Sequence, residues 1–287
     1  MTRRWARVTR VLGAALGLVL TLVTMLCVVS VAREHRRYRV PDVAATISAD
    51  SATIARGRHL VTAVAACTSC HGADLGGHIV LEQPLLGRFV AANLTRGAGG
   101  VGLADTDQDL LRAIRHGVGR DGRPLVLMPS DAYGGLSDED LAAIVAYVRA
   151  APPVDLELPP TRVGPLGRVL HLLGFRLLPA EHIDHRARAS KPVPVVSVAW
   201  GRYLATVAGC RGCHGPTLGG DSGPGPDLTD GALAAWTEAD FRRALREGLR
   251  PDGTILAEPM PWRNYAGLTD EELSALWSYV GAMANLD

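Results

Sequence analysis

Cys67-Thr68-Ser69-Cys70-His71-Gly72 and Cys210-Arg211-Gly212-Cys213-His214-Gly215 are two copies of one pattern, and their surroundings repeat as well. Gly57-Arg58-His59-Leu60 precedes the first and Gly201-Arg202-Tyr203-Leu204 the second, while Gly76-Gly77 and Gly219-Gly220 follow. Farther on, Asn93-Leu94-Thr95 is answered by Asp227-Leu228-Thr229, and Met128-Pro129 with Tyr133 by Met260-Pro261 with Tyr265. In both copies Tyr follows Met by five positions, and a hydroxyl residue, Ser137 or Thr269, follows by nine. From His to Met the separations are 57 and 46 residues, and most of the difference falls before Asn93, where the first copy carries an inserted loop. A period this long is a duplicated domain, not a short-repeat solenoid.

Each copy reads as helical. Ser137-Asp138-Glu139-Asp140 and Thr269-Asp270-Glu271-Glu272 place a hydroxyl three residues before an acid, the pattern of a capping box or a close variant. After them, Leu141, Ile144, Val145 and Val148 keep one helical face apolar, as do Leu273, Leu276, Trp277 and Val280. Middle helices are expected over Thr106–His116 and Thr237–Glu247. Helices starting near Ala52 and Ser197 lead into the cysteine motifs. No run shows strand alternation, so the expected class is all-α. The Gly- and Pro-rich segments between helices are long for bare loops, so something besides helix contacts is expected to organise them.

Cys-x-x-Cys-His is the attachment pattern of a c-type haem. Two thiols two residues apart at a helix end each add to a vinyl group, and the following His lies under the iron. The pattern therefore assigns Cys67, Cys70 and His71 to one covalently attached haem c, and Cys210, Cys213 and His214 to a second. Zinc is a competing reading, but structural zinc pairs need neither a His directly after the second Cys nor a distant Met-Pro. A thioredoxin-like redox pair needs a βαβ setting that the sequence lacks. Disulfides between residues so close in sequence remain an open alternative.

The sixth iron ligand is sought among five methionines, and of the three outside the leader only Met128 and Met260 occupy equivalent places. The Pro after each biases Met toward an extended backbone, which holds the thioether toward the iron. His71 with Met128, and His214 with Met260, are the expected axial pairs. Such pairs raise the haem potential and close the sixth position, which suits outer-sphere electron transfer over oxygen or peroxide chemistry. Asn93 and Asp227 have two readings, a turn or a propionate contact. Tyr133 and Tyr265 either line the haem edge or pack, and Arg58 and Arg202 meet either propionates or solvent.

The leader differs from the body. Residues 1–39 hold eight Arg and one Glu, a local +7, which leaves the other 248 residues at −6 within the total of +1. An acidic body argues against nucleic-acid binding, which needs a basic face. Val11 to Ala32 runs 22 residues without a charged side chain. At 1.5 Å per residue that crosses a bilayer core of roughly 30 Å and exceeds the apolar region of a cleavable signal. Small residues at Ser30 and Ala32 keep cleavage open, and arginines on both sides leave the orientation open. Residues 151–196 form a Pro-rich connector with an apolar stretch over Leu166–Leu178 that suits a short surface or membrane-apposed helix. His171, His182 and His185 in it read as solvated.

The carrying residues, Cys67, Cys70, His71 and Met128 with Cys210, Cys213, His214 and Met260, make the chain resemble the membrane-anchored dihaem cytochromes c of bacteria. The flanking Gly-Arg-x-Leu, Asn/Asp-Leu-Thr, Met-Pro and Tyr are similar to those of cytochrome subunits of periplasmic alcohol- and aldehyde-type dehydrogenases. The resemblance covers about residues 52–150 and 198–284. It implies two tandem cytochrome c-like helical domains, over 40–150 and 197–287, behind a single N-terminal transmembrane helix in 1–39. It places the body on the periplasmic face of the inner membrane. It further implies electron transfer from a periplasmic dehydrogenase or other donor to a terminal oxidase or soluble cytochrome, with no catalytic residue. The rival reading is a dihaem peroxidase-type enzyme, which needs one haem with a releasable sixth ligand and is opposed by the two matched Met-Pro positions.

Overall fold

The computed structural model describes residues 2–220, 223–229 and 233–284; the outer limits set above at Met1 and Asp287 lie outside them. It opens with α1 (Thr2–Glu34), whose 28-residue stretch Arg7–Glu34 contains an 18-residue window of mean hydropathy 2.5 and is long and apolar enough to cross a membrane. Thereafter two sets of helices follow one plan. The first is α2 (Ser51–His59, continued by a π-turn over Leu60–Val64), α3 (Thr68–His71), α4 (Val101–Ala104), α5 (Asp107–His116), α6 (Ser130–Tyr133) and α7 (Asp138–Ala150). After α8 (Pro165–Leu172) the second set is α9 (Val198–Val207), α10 (Cys210–His214), α11 (Glu238–Glu247), α12 (Trp262–Tyr265) and α13 (Asp270–Ala284).

Local chemistry starts these helices where the sequence expects them. Thr106 and Thr237 close full capping boxes with Asp109 and Asp240 at the heads of α5 and α11, which satisfies amide donors that a helix start leaves free. Thr269 and Glu272 close another at α13. At α7 the box is only half made. Ser137 accepts from the Asp140 amide at 3.1 Å, but the Asp140 carboxylate is drawn elsewhere.

In each set the first and last helices cross at a glycine. A Cβ on Gly57 would lie 1.8 Å from the Ala143 carbonyl oxygen, and one on Gly201 would lie 1.9 Å from that of Ala275. Only hydrogen at these positions lets α2 meet α7, and α9 meet α13, backbone to backbone. The apolar faces then interlock. Leu60, Leu141 and Ile144 of the first set and Leu204, Leu273 and Leu276 of the second belong to one continuous core.

The two halves are also joined by a crossed pair of polar contacts. Asp140, 1% exposed, accepts from Tyr203 Oη at 2.7 Å, from Lys191 Nζ at 3.0 Å and from two nitrogens of Arg56 at 3.1 Å each. In the opposite sense Glu272, 4% exposed, bonds His59 Nε2 at 2.8 Å and lies 3.7 Å from Arg56. Tyr203 and His59 occupy equivalent places in the repeat, so each half reaches the cap acid of the other. Burial alone would raise both carboxyls. The hydrogen bonds from Arg56 to Asp140, and from His59 to Glu272, outweigh it and hold both below the ordinary carboxylate range.

The expected all-α class needs a correction. Residues His78–Gln83 form β1 and Gly87–Ala91 form β2, an antiparallel hairpin, and Arg162–Val163 add β3 to its free side. The hairpin is the inserted loop of the first copy. It escapes a period-two reading because every residue of β1 is exposed, so no alternation is imposed on it. The connector likewise lies on the body: besides supplying β3, it offers the Val154 carbonyl to Asn93 Nδ2 at 2.7 Å. Of its three histidines only His182 is solvated. His171 is buried, and His185 is half-buried with its Nδ1 at 3.1 Å from that of His116. The apolar neighbours Leu177 and Leu178, both fully buried, fold this segment inward.

Candidate haem-attachment sites

Both Cys-x-x-Cys-His segments wind into a single helical turn, α3 and α10. A residue in the left-handed region sets the entry to each. It is Ala66 (φ +51°) before Cys67 and Gly209 (φ +76°) before Cys210. This reversal turns the chain from the preceding long helix into the cysteine turn. A left-handed alanine costs about 1–2 kcal/mol, and glycine returns part of that in unfolded-state entropy. Ala66→Gly is therefore expected to stabilise the protein by about 0.5 kcal/mol, read as a higher denaturant midpoint. Gly209→Ala should lower it.

The two imidazoles are held alike. His71 Nδ1 lies 2.8 Å from the Ala92 carbonyl oxygen, and His214 Nδ1 lies 2.8 Å from that of Pro226. A carbonyl only accepts, so Nδ1 carries the proton in each and Nε2 is left with its lone pair, the nitrogen an iron would take. Burial holds the His71 ring below the usual histidine range and keeps it neutral. In the second copy Gly225 lies close against the His214 ring, where a Cβ would come within 2.8 Å of Nδ1.

The residue after each accepting carbonyl is the Asn or Asp of the repeated Asn/Asp-Leu-Thr. Asn93 Oδ1 accepts from the Thr95 amide at 2.9 Å and hydroxyl at 2.8 Å, and Asp227 Oδ1 accepts from Thr229 at 2.6 and 2.8 Å. Of the two readings left open, these contacts are those of a turn. The turn holds the carbonyl just upstream that orients the histidine. The carbonyls of Ala92 and Pro226 are functional groups that sequence reasoning missed. Their nearest signal is the Asn93 and Asp227 motif itself.

Cys67, Cys210, Met128 and Met260 are partly buried and pack against the shared core, whereas Cys70 is exposed. No disulfide joins any of the five cysteines, all of which are described residues. Burial pushes the Cys67 and Cys210 thiols up to about 12. Among the described residues, no three His, Cys, Asp or Glu side chains converge in the manner of a metal site. Tyr133 and Tyr265 donate to the carbonyls of Ala65 and Ala208, at 2.8 and 2.7 Å. They tie each Met-Pro segment to the approach of its cysteine turn. Burial first, and then the nearby cysteines, push both phenols above their ordinary range. Arg58 and Arg202 are exposed.

A helical Cys-x-x-Cys-His turn, a histidine with Nε2 left available and a methionine on the same core fit a thioether-bound porphyrin with a histidine beneath its iron, which is the chemistry of a c-type cytochrome. The comparison with known families agrees. The model described as "Cytochrome C oxidase, cbb3-type, subunit III" matches residues 52–148 and 200–280, and the chain belongs to this cytochrome c family. It is 29% identical to the gluconate 2-dehydrogenase cytochrome c subunit of Pantoea cypripedii, over 83% of this chain and 61% of that protein. It is 28% identical to the fructose dehydrogenase cytochrome subunit of Gluconobacter japonicus, over 81% of this chain and 53% of the relative. With a diheme cytochrome c-type protein of Cereibacter sphaeroides it shares 28% identity over 75% of this chain and 80% of the other. The chain thus spans little more than half the length of the two dehydrogenase subunits. Membership of the family implies haem c.

Proposed function

We propose that the chain is a dihaem c-type cytochrome that accepts electrons from a periplasmic dehydrogenase and passes them to a respiratory acceptor, a terminal oxidase or a soluble cytochrome. In this reading residues 40–150 and 197–287 are two cytochrome c domains joined by the connector 151–196. Residues 1–39 anchor them to the outer face of the inner membrane. The duplicated histidine geometry carries the proposal: twice, a Cys-x-x-Cys-His turn presents an imidazole with Nδ1 tied to a carbonyl 2.8 Å away. The naming of two relatives as cytochrome subunits of dehydrogenases supports the donor.

Bound haem supplies a one-electron couple. The chain does the rest. Cys67 and Cys70, and Cys210 and Cys213, hold the porphyrin through thioethers. His71 and His214 would offer Nε2 to the iron, with the Ala92 and Pro226 carbonyls fixing their orientation. Met128 and Met260 would be the thioether donors to the iron of each bound haem. Core residues around them lower the local dielectric, which with ligand identity sets the potential. No residue is asked to act as acid, base or nucleophile. The anchor keeps the body near membrane partners and raises their effective concentration.

The mature chain, made with a working haem-attachment system and weighed, should exceed its polypeptide mass by two haems. A mass equal to the bare polypeptide would overturn the proposal. Affinity purification from detergent-solubilised membranes should bring down a dehydrogenase.

A further inference from the structure

We propose that the outward face of α8, with the β1–β2 turn beside it, rests in the head-group region of the bilayer that α1 enters, so that the body is seated on the membrane and does not swing from a tether. This rests on reading α1 as an anchor. The segment Pro165–Leu172 is amphipathic in the simplest sense. Gly167 and His171 face inward and are buried. Leu166, Leu170 and Leu173, spaced i, i+4 and i+7, form one stripe and are 41%, 37% and 76% exposed. Phe175 extends the stripe at 55% and Leu85, at the tip of the hairpin, at 64%. Leu85 belongs to the same surface because the Leu166 amide donates to its carbonyl at 3.0 Å. An apolar patch of this kind on a soluble face marks a contact surface.

Its place selects the occupant. α8 packs along α1, and Arg168 pairs with Glu34, the last residue of α1. Arg33 pairs with Glu181 at 3.6 Å on the connector. The stripe therefore lies where the apolar helix leaves the hydrocarbon. It continues an exposed surface that on α1 includes Val28, Val29 and Val31. Apolar side chains in that position, with arginines beside them, are the composition of a helix lying in a bilayer interface. The link between α1 and the body is no free leash. The Tyr38 amide donates to the Gly122 carbonyl at 2.8 Å, and Val43, 1% exposed, takes a 2.9 Å bond from Gln108 on its carbonyl. With α1 upright in a bilayer, these contacts leave the α8 stripe against the lipid.

The test uses the full haem-loaded chain in lipid nanodiscs, on a Cys27→Ser background. A spin label is placed at Leu173→Cys or, as a control on the second half, at Ile255→Cys, where the native side chain is 65% exposed. The label at 173 should be reached by oxygen, which partitions into lipid, and shielded from a water-soluble nickel chelate. The label at 255 should show the reverse. A chelate-accessible label at 173 in a chain that resists alkaline carbonate extraction would overturn the seating while leaving the anchor intact. Release of the chain by carbonate would overturn the anchor itself, and the seating with it.

Discussion

Gly57→Ala should destabilise the protein by about 3 kcal/mol, although alanine is the better helix former by about 1 kcal/mol. At an exposed helical site that propensity difference would make the change stabilising. Here the added methyl would sit 1.8 Å from the Ala143 carbonyl oxygen and 2.9 Å from Tyr147 Cβ. The first of these is backbone inside a hydrogen-bonded helix and has no rotamer to change. Relief requires α2 and α7 to separate, which opens voids around Leu60, Leu141 and Ile144. Gly201→Ala should behave alike, since its methyl would meet the Ala275 carbonyl oxygen at 1.9 Å and Tyr279 Cβ at 2.7 Å. Denaturant midpoints of the haem-loaded chain measure both. An unchanged or raised midpoint would show that the crossings are looser than described.

On the proposed dihaem reading, replacing Met128 or Met260 with alanine should convert one haem from low to high spin and lower its potential by at least a tenth of the ~0.8 V range that axial ligands command. Thioether ligation favours the reduced iron, and its loss admits water or leaves the position open. The effect should be confined to one haem per variant, because the Tyr five residues after each Met hydrogen-bonds the approach to that copy's own cysteine turn. Visible spectra and a redox titration read the result. Unchanged spectra in both variants would refute the ligand assignment, and carbon monoxide gives an independent reading: it should bind the reduced parent chain weakly and each reduced variant at one haem.

Features set by nearby residues were legible in the sequence. Thr106, Ser137, Thr237 and Thr269 each sit at a helix start, and the faces of Leu141, Ile144, Val145 and Val148, and of Leu273, Leu276 and Val280, are buried. Capping and periodicity depend on residues within one or two turns, which a single chain displays. What escaped depends on distant partners or on backbone atoms. The hairpin needs Arg162 and Val163 as its third strand, more than 70 positions after Gly87 and Arg88. The acceptors for His71 and His214 are carbonyls, which no side chain encodes. Asp140 and Glu272 looked like ordinary capping acids, because nothing local announces that Tyr203 or His59 will reach them from the other copy.

That crossed exchange has a consequence for how the duplicated gene product can change. Cutting the chain after α7 would strip Asp140 of Tyr203 and Lys191, and starting it at α9 would leave Glu272 without His59 and Arg56. A carboxylate shielded in the whole molecule would then face solvent beside a flayed apolar surface. Neither copy is therefore a spare part. A substitution at Tyr203 or His59 therefore acts on the cap acid of the opposite repeat.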